Sequence, residues 1–202
     1  MDCAVALVQA YLRLNGYFVE TEYPIVSHRR AATITLTDLD VLAIRFPGAA
    51  RWVPDTHGGG RELATDPELA VSGDRMDMII GEVKEGRSRL NPAALTPDVL
   101  ETVIRRFGCC APDPAGSALE VLRGPSADMT LHRGMHCRIR VVVFSGAHGE
   151  RSRSFQVITL RHAAQFISRH ISEHGEVYLA AHLKDDALGL FALLSKLGLP
   201  LH

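Results

Sequence analysis

The chain has 202 residues, of which 47% are hydrophobic and 22% charged, and its formal net charge is -1. This length suits one domain with a sizeable core, and no apolar run approaches the roughly 18 residues that cross a bilayer, which argues against a membrane protein. The net charge hides an asymmetry, because residues 105–170 hold ten basic and four acidic residues, an excess that favours binding of a polyanion or simply forms solvated faces.

The N-terminal stretch MDCAVALVQAYLRLNG is apolar but has no basic leader, so we expect an amphipathic helix over residues 4–14 rather than a signal peptide. The pair Asn15-Gly16 is a helix stop signal. Four cysteines occur without the spacing of a disulfide framework, which favours reduced thiols. We therefore expect a cytoplasmic protein.

The next stretch, YFVETEYPIV at 17–26, predicts a strand that carries Glu20 and Glu22 on one face and is closed by Pro24. A longer strand pattern, TITLTDLDVLAIRF, follows at 33–46. Because side chains alternate between the two faces of a strand, Asp38 and Asp40 are predicted to share a face that is otherwise aliphatic. That predicted face contains Ile34, Leu36, Asp38, Asp40, Leu42 and Ile44.

Residues 47–74 contain HGGG and several prolines and predict a long irregular insertion. A third strand follows at 75–86, where Glu82 and Lys84 interrupt an apolar face near its end. Beyond it we expect a helix at 97–107 between Thr96 and Gly108 as caps. The remaining predicted elements are a surface excursion at 109–135, strands at 137–146 and 154–160 joined as a hairpin, and helices at 161–171 and 184–197.

The order of these elements predicts an α/β fold, a three-layer sandwich with a mixed central β-sheet flanked by helices. We expect a single domain over residues 1–202, with an insertion at about 47–74 and C-terminal helices at about 161–202.

Three acids lie on the inward faces of two predicted strands. A carboxylate that leaves water is costly unless charge or hydrogen bonds compensate it, and this applies to Asp38, Asp40 and Glu82. A divalent cation would offset the cost, and hard oxygen ligands favour Mg²⁺ or Mn²⁺. Lys84 projects to the same side of its strand as Glu82, where an ammonium can orient a water or stabilise charge on a phosphate.

Asp40 is followed by a hydrophobic stretch, and Glu82-Val83-Lys84 ends the next strand before a helix. This arrangement resembles the PD-(D/E)XK, or restriction-endonuclease-like, nuclease superfamily, over the core from the first helix to the strands near residue 160. The resemblance implies an α-β-β-β-α-β core. It also implies Mg²⁺- or Mn²⁺-dependent hydrolysis of phosphodiester bonds in nucleic acid, with DNA as the expected partner.

The same resemblance implies roles for individual residues. Asp40, Glu82 and Lys84 become the catalytic residues. Asp40 and Glu82 become metal ligands, the backbone carbonyl of Val83 a further ligand, and Lys84 the residue that assists the attacking water.

The chain departs from the family pattern at its first helix. Many relatives carry a glutamate there, whereas this helix offers only Gln9, with Glu20 or Glu22 on the following strand as substitutes. Asp38 is the alternate to Asp40 as the first acid of the motif. The alternative function is a catalytically inactive nuclease-fold protein that binds nucleic acid or a protein partner.

Two further features bear on partners. Arg87 and Arg89, just after the motif, are candidate phosphate contacts or solvated loop residues. The last helix carries an apolar stripe that is either core packing or the face of a homodimer. That stripe consists of Leu188, Phe191, Leu194 and Leu197.

Overall fold

The computed structural model describes residues 2–29, 32–55, 57–108, 126–130, 136–147, 155–178 and 184–199. The helices in these ranges are α1 (Cys3–Leu14), α2 (Pro97–Phe107), α3 (Leu160–Glu173), α4 (Gly175–Tyr178) and α5 (Asp186–Lys196). The strands are β1 (Phe18–Arg29), β2 (Ala32–Arg45), β3 (Arg51–Pro54), β4 (Gly60–Leu63), β5 (Met76–Arg87), β6 (Ser126–Thr130), β7 (His136–Ala147) and β8 (Gln156–Thr159).

The main sheet has six strands and is mixed. Strands β1, β2 and β5 pair antiparallel in that order, and β7 pairs parallel with β5. On the other side of β7, antiparallel β6 pairs with its first half and parallel β8 with its second half. The predicted α/β fold with a mixed sheet and flanking helices is therefore confirmed.

Each face of the sheet carries its own hydrophobic core. The first core joins the sheet to α1, α3 and α5 and includes Tyr11, Phe144 and Phe166. The second core joins it to α2 and includes Met78 and Ile80. Because β5 lies between the two helical layers, its first eight residues are all buried, as expected for a strand covered on both faces.

Helix α1 begins and ends where its sequence predicts. The Asp2 carboxylate accepts a hydrogen bond from the Ala4 N–H at 2.8 Å, which satisfies one of the free donors at the helix start. Gly16 has a φ of 83°, a left-handed conformation that glycine adopts without steric cost. The chain can therefore turn directly into β1.

Strand β1 is longer than its sequence predicts. The predicted end at Pro24 is wrong, because the strand continues to Arg29. Pro24 lies opposite Asp38 of β2, and β1 is the edge strand of the sheet. A proline is tolerated there because its missing N–H can fall on the open side of the edge strand.

The segment 47–74 contains regular structure, so the prediction of an irregular insertion is wrong in this respect. Strands β3 and β4 form a separate two-stranded antiparallel sheet. A short 3-10 helix, Pro67–Leu69, follows. Leu63 and Leu69 are buried in the first core, so the segment packs against the rest of the domain.

The predicted hairpin between β7 and β8 is wrong, because the two strands are parallel, with Val142 opposite Gln156. A parallel neighbour usually needs a long crossover. Here β7 ends at Ala147, and β8 starts opposite Val142, five residues back along β7. At about 3.3 Å per residue, the connection must cover roughly 16 Å along the strand direction. The eight residues between the strands are long enough for this distance.

Helices α2, α3 and α5 lie close to their predicted positions, whereas the short helix α4 was not predicted. Helix α2 has the predicted bounds and ends at Gly108, which has a φ of 66°. The predicted stripe on α5 is divided, because Leu188 and Phe191 are buried in the first core whereas Leu197 is exposed. Within the predicted excursion at 109–135, the structure describes only residues 126–130, which form β6, and the rest lies outside the described residues.

His170 of α3 is a buried, neutral histidine. Its ring stacks on Phe166 at a centroid distance of 5.2 Å, and its Nε2 lies 3.0 Å from the Tyr178 hydroxyl. Burial, together with the charges of His174, Arg51 and Arg169, lowers the pKa of His170 from 6.5 to about 4.

We expect this histidine to make the fold sensitive to acid. Because its folded-state pKa is depressed, the stability that it contributes is present above pH 6.5 and is lost as the pH falls through about 4. Between about pH 7 and 4.5 the loss should be roughly 2–3 kcal/mol. Urea unfolding of the wild type and of His170→Gln measures it, and equal losses in both proteins would contradict the expectation.

Candidate functional site

Asp40 and Glu82 occupy neighbouring positions on two paired strands. Val41 of β2 lies opposite Gly81 of β5 in an antiparallel ladder, so Asp40 and Glu82 are the next residues along it. The Asp40 carboxylate accepts a hydrogen bond from the Val83 N–H at 2.7 Å. The fold therefore brings together the two acids that the sequence separates by 42 positions.

Lys84 belongs to the same group. Its Nζ lies 2.5 Å from Oε1 of Glu82, whose side chain is almost completely buried. Burial raises the pKa of the Glu82 carboxyl, the Lys84 ammonium partly offsets this, and the negative charge of Asp40 raises the pKa further. Asp40, Glu82 and Lys84 are thus electrostatically coupled.

Irregularities in the pairing of β1 and β2 change the direction in which the acids of β2 point. The register shifts at Leu36, which the ladder skips. Glu22, across from Asp40, has a φ of 54°, and the ladder is interrupted at this pair. Leu39 packs into the second core and Val41 into the first, although residues two apart in a regular strand share a face.

The predicted common face of Asp38 and Asp40 with Leu42 and Ile44 is therefore wrong. Leu42 and Ile44 pack in the second core, on the side of α2. Asp38 and Asp40 instead line a cleft beside the start of α1. The strict alternation of side chains fails at the irregularities, and this places the acids on the opposite side of the sheet.

The cleft has a volume of about 490 Å³ and is acidic. Its lining residues are Asp2, Ala4, Val5, Glu22, Asp38, Asp40, Val83 and Glu85. Five of these eight are acids and none is basic, so negative charge collects where the positive end of the α1 macrodipole favours it. Glu82 and Lys84 do not line this cleft.

A complete metal-ligand cluster is not assembled in the described part of the chain. No group of three or more His, Cys, Asp or Glu side chains there could hold a metal ion. Asp40 is bonded to the Val83 N–H, and Glu82 is paired with Lys84. Each acid of the motif therefore already has a partner within the protein.

Similarity to known proteins does not assign this site. Neither protein-family models, nor curated proteins, nor solved structures match the chain. Across the described ranges, none of the helices has the length and apolar character that a membrane-spanning segment needs. The functional argument therefore depends on the site residues themselves.

The predicted supporting residues lie in different places. Glu22 lines the acidic cleft next to Asp40. Glu20 is held elsewhere by a bidentate ion pair with Arg106 of α2, with N–O distances of 2.9 and 3.0 Å. Gln9 of α1 is half-buried and does not line the cleft. Of the three, only Glu22 is positioned to support a site at Asp40.

The arginines near and after the motif also divide into two groups. Arg87 ends β5 and Arg89 lies two residues beyond it, and both are exposed and available to a ligand. Several arginines of the basic stretch 105–170 instead form ion pairs within the protein. These pairs are Arg105 with Glu101, Arg106 with Glu20, and Arg138 and Arg140 with Asp77.

A buried ion network at the start of β5 was missed by the sequence analysis. Asp77 is fully buried, with Arg140 Nη2 and Arg138 Nε each 2.8 Å from its carboxylate oxygens. The Tyr17 hydroxyl also donates a hydrogen bond to Asp77. The only sequence signal for this network is an acid between Met76 and the apolar residues that follow it.

A second buried acid, Asp66, fastens the segment after β4 to two helices. Its carboxylate accepts a hydrogen bond from the Tyr11 hydroxyl at 2.7 Å and lies 2.6 Å from His162 Nε2. Its backbone N–H donates to the side-chain oxygen of Asn15 at 2.6 Å. These contacts join the segment to α1 and α3.

Proposed function

We propose that this protein is a metal-dependent nuclease that hydrolyses phosphodiester bonds in nucleic acid, with DNA as substrate. The proposal is carried by the hydrogen bond between Asp40 and the Val83 N–H, which holds the two motif strands together with Asp40 beside Glu82. Lys84 adds an ammonium group 2.5 Å from Glu82. An acid from one strand and an E-x-K signature from the next are what the proposed chemistry requires.

The order of the elements supports a restriction-endonuclease-like core. Helix α1, strands β1, β2 and β5, helix α2 and strand β7 follow one another along the chain, with the β3–β4 hairpin inserted before β5. This is the α-β-β-β-α-β order that the resemblance implies. The parallel pairing of β5 with β7, with α2 in the connection between them, also fits a crossover of this kind.

Mg²⁺ or Mn²⁺ fits the chemistry of the donors at this site, because all of them are oxygens. The raised pKa of Glu82 reflects a buried carboxylate beside the charge of Asp40, and a cation would offset both burial and repulsion. Asp40, Glu82 and the Val83 carbonyl would hold the ion together only if the Glu82 side chain turned from Lys84 toward Asp40, because Glu82 does not line the cleft that contains Asp40, Asp38 and Glu22. When bound, it would stabilise charge on a phosphate and acidify a water.

The other residues of the site act on the substrate. Lys84 is 40% exposed at its side chain, so its ammonium can leave Glu82 and contact a phosphate oxygen or the attacking water. Arg87 at the end of β5 and Arg89 two residues beyond it are exposed and can contact flanking phosphates.

A second function, binding of nucleic acid or a protein partner without cleavage, is favoured by one observation. Asp40 and Glu82 are each engaged with a group of the protein, Val83 N–H and Lys84 respectively. A strand pair held together in this way is stable without any cation. The two functions differ in whether the site binds a divalent metal.

Calorimetric titration with Mn²⁺ separates them. We expect the wild type to bind Mn²⁺ and Asp40→Ala to lose binding, because it removes one of two carboxylate ligands. Asp74→Ala, which removes an exposed acid outside the site, is the matched control and should bind like the wild type. Binding that survives in Asp40→Ala would count against the site.

Cleavage is tested with Mg²⁺ or Mn²⁺ on single-stranded, double-stranded, nicked and branched DNA, and on RNA. We expect cleavage of DNA that chelation abolishes. If all five substrates stay intact with both metals while nucleic acid is still bound, the non-cleaving function replaces the proposal.

A further inference from the structure

Helix α5 has an outward apolar face in addition to the face that packs in the core. Leu190, Leu193 and Leu197 are 54%, 51% and 62% exposed, and they follow the i, i+3, i+7 spacing of one helix face. Leu199, beyond the helix end, is also exposed. Three exposed leucines on one helix face form an apolar row, and an apolar surface of this kind is a candidate interaction surface.

Charged residues lie at the two ends of the leucine face. Asp186 is in the first turn of α5 and Lys196 in the last, and both are exposed. On a helical projection Asp186 falls on the same side as Leu190 and Leu197, and Lys196 falls beside Leu193. The face therefore has an acid at one end, a base at the other, and leucines between them.

We propose that this face binds a second copy of the chain, with α5 packed antiparallel against α5 of the partner. In that arrangement Asp186 lies beside the partner's Lys196 and Lys196 beside the partner's Asp186, so one contact surface forms two ion pairs. A two-fold interface requires a surface that is complementary to itself in this way. The antiparallel direction also aligns the two helix dipoles favourably, whereas a parallel pair would place like charges together.

The interface is small. Stable complexes bury about 1,200–2,000 Å² in total, and a single helix pair of this length covers less. The dimer is therefore concentration-dependent. The dimer contact involves none of the residues of the proposed nuclease site. The dimer and the nuclease function can therefore be tested independently.

Sedimentation equilibrium of the full chain over a roughly hundredfold concentration range tests the proposal. We expect a monomer–dimer equilibrium for the wild type, and a monomer throughout for Leu193→Glu, because the glutamate would bring two charges into the apolar contact. Val26→Glu, which changes an equally exposed residue of β1, should dimerise like the wild type. Circular dichroism checks that both variants remain folded.

Charge reversal tests the antiparallel geometry. Asp186→Lys alone and Lys196→Asp alone should each weaken association about tenfold, since each converts two attractive pairs into repulsive ones. The double variant should recover most of the wild-type affinity. A wild type that stays monomeric, a dimer that Leu193→Glu leaves unchanged, or a double variant weaker than both single ones would overturn the proposal.

Discussion

Replacing Lys84 by alanine is expected to reduce phosphodiester cleavage at least about a hundredfold with the fold intact. A positioned group that assists proton transfer or stabilises developing charge contributes about 10²–10⁴ to a rate. The Lys84 ammonium is the cation that contacts Glu82, so its loss removes this contribution at the site itself. Single-turnover cleavage at saturating metal measures the effect.

Glu82→Gln should abolish cleavage for a different reason. The amide has almost the same shape as the carboxylate but cannot carry the negative charge that a divalent cation requires. Folding should survive, because a neutral amide at this buried position avoids the cost of burying a negative charge. That cost is what raises the pKa of Glu82.

The matched controls for these two variants are Lys184→Ala and Glu62→Gln, which change exposed residues of the same types outside the motif. Both should cleave like the wild type. Unchanged cleavage in one of the motif variants would remove the residue changed in that variant from the mechanism.

Asp77→Asn is expected to destabilise the fold by about 3–5 kcal/mol, the usual cost of removing one partner from a buried ion pair. Arg140, which is 3% exposed, would be left buried without a carboxylate, and because asparagine keeps one of the two oxygens, either Arg138 or Tyr17 would lose its acceptor. Asp74→Asn, three residues earlier and exposed, is the control and should change stability little. Equal stability of the two variants would contradict the role of the network.

The pH dependence of this effect has a defined direction. Burial alone would raise the pKa of Asp77, but the charge and hydrogen bonds of Arg140, with those of Arg138 and Tyr17, outweigh it and hold the pKa below its usual value. The stability that Asp77 contributes is therefore present above the ordinary aspartate pKa and is lost as the pH falls through the lower folded-state pKa. The wild type and Asp77→Asn should differ most at neutral pH and converge in strong acid.

The helices could be predicted from the sequence because their ends carry local signals. Asn15 and Gly16 end α1, and Gly108 ends α2 in the left-handed conformation that glycine favours. Such signals act within a few residues. Predictions of this kind therefore depend little on the rest of the fold.

The strand faces could be predicted only where the strands are regular. The alternation rule places Met78 and Ile80 together correctly, since β5 is regular along that stretch. It fails at Asp38 and Asp40, because the skipped Leu36 and the positive φ of Glu22 interrupt the ladder. Irregularities of this kind arise from the pairing of two strands. They cannot be predicted from the sequence of one strand alone.

The buried network around Asp77 could not be predicted for a related reason. Its partners Tyr17, Arg138 and Arg140 lie about 60 positions away on either side. The sequence around Asp77 therefore contains no sign of its partners. Two of them, Arg138 and Arg140, come close only because β7 pairs with β5. By contrast, the proximity of Asp40 and Glu82 follows from one strand pairing, that of β2 with β5.

Strands β1 and β2 are antiparallel neighbours that follow each other along the chain, and this has a consequence for the order of folding. Hairpins of this kind close in about 1–10 μs, whereas the parallel pairing of β5 with β7 must wait for closure of the long segment that contains α2. Asp40 and Glu22 can therefore be in place before β7 covers β5. We therefore expect Glu82 to keep its water until the later step, which would place the unfavourable burial of its charge near the end of the folding pathway.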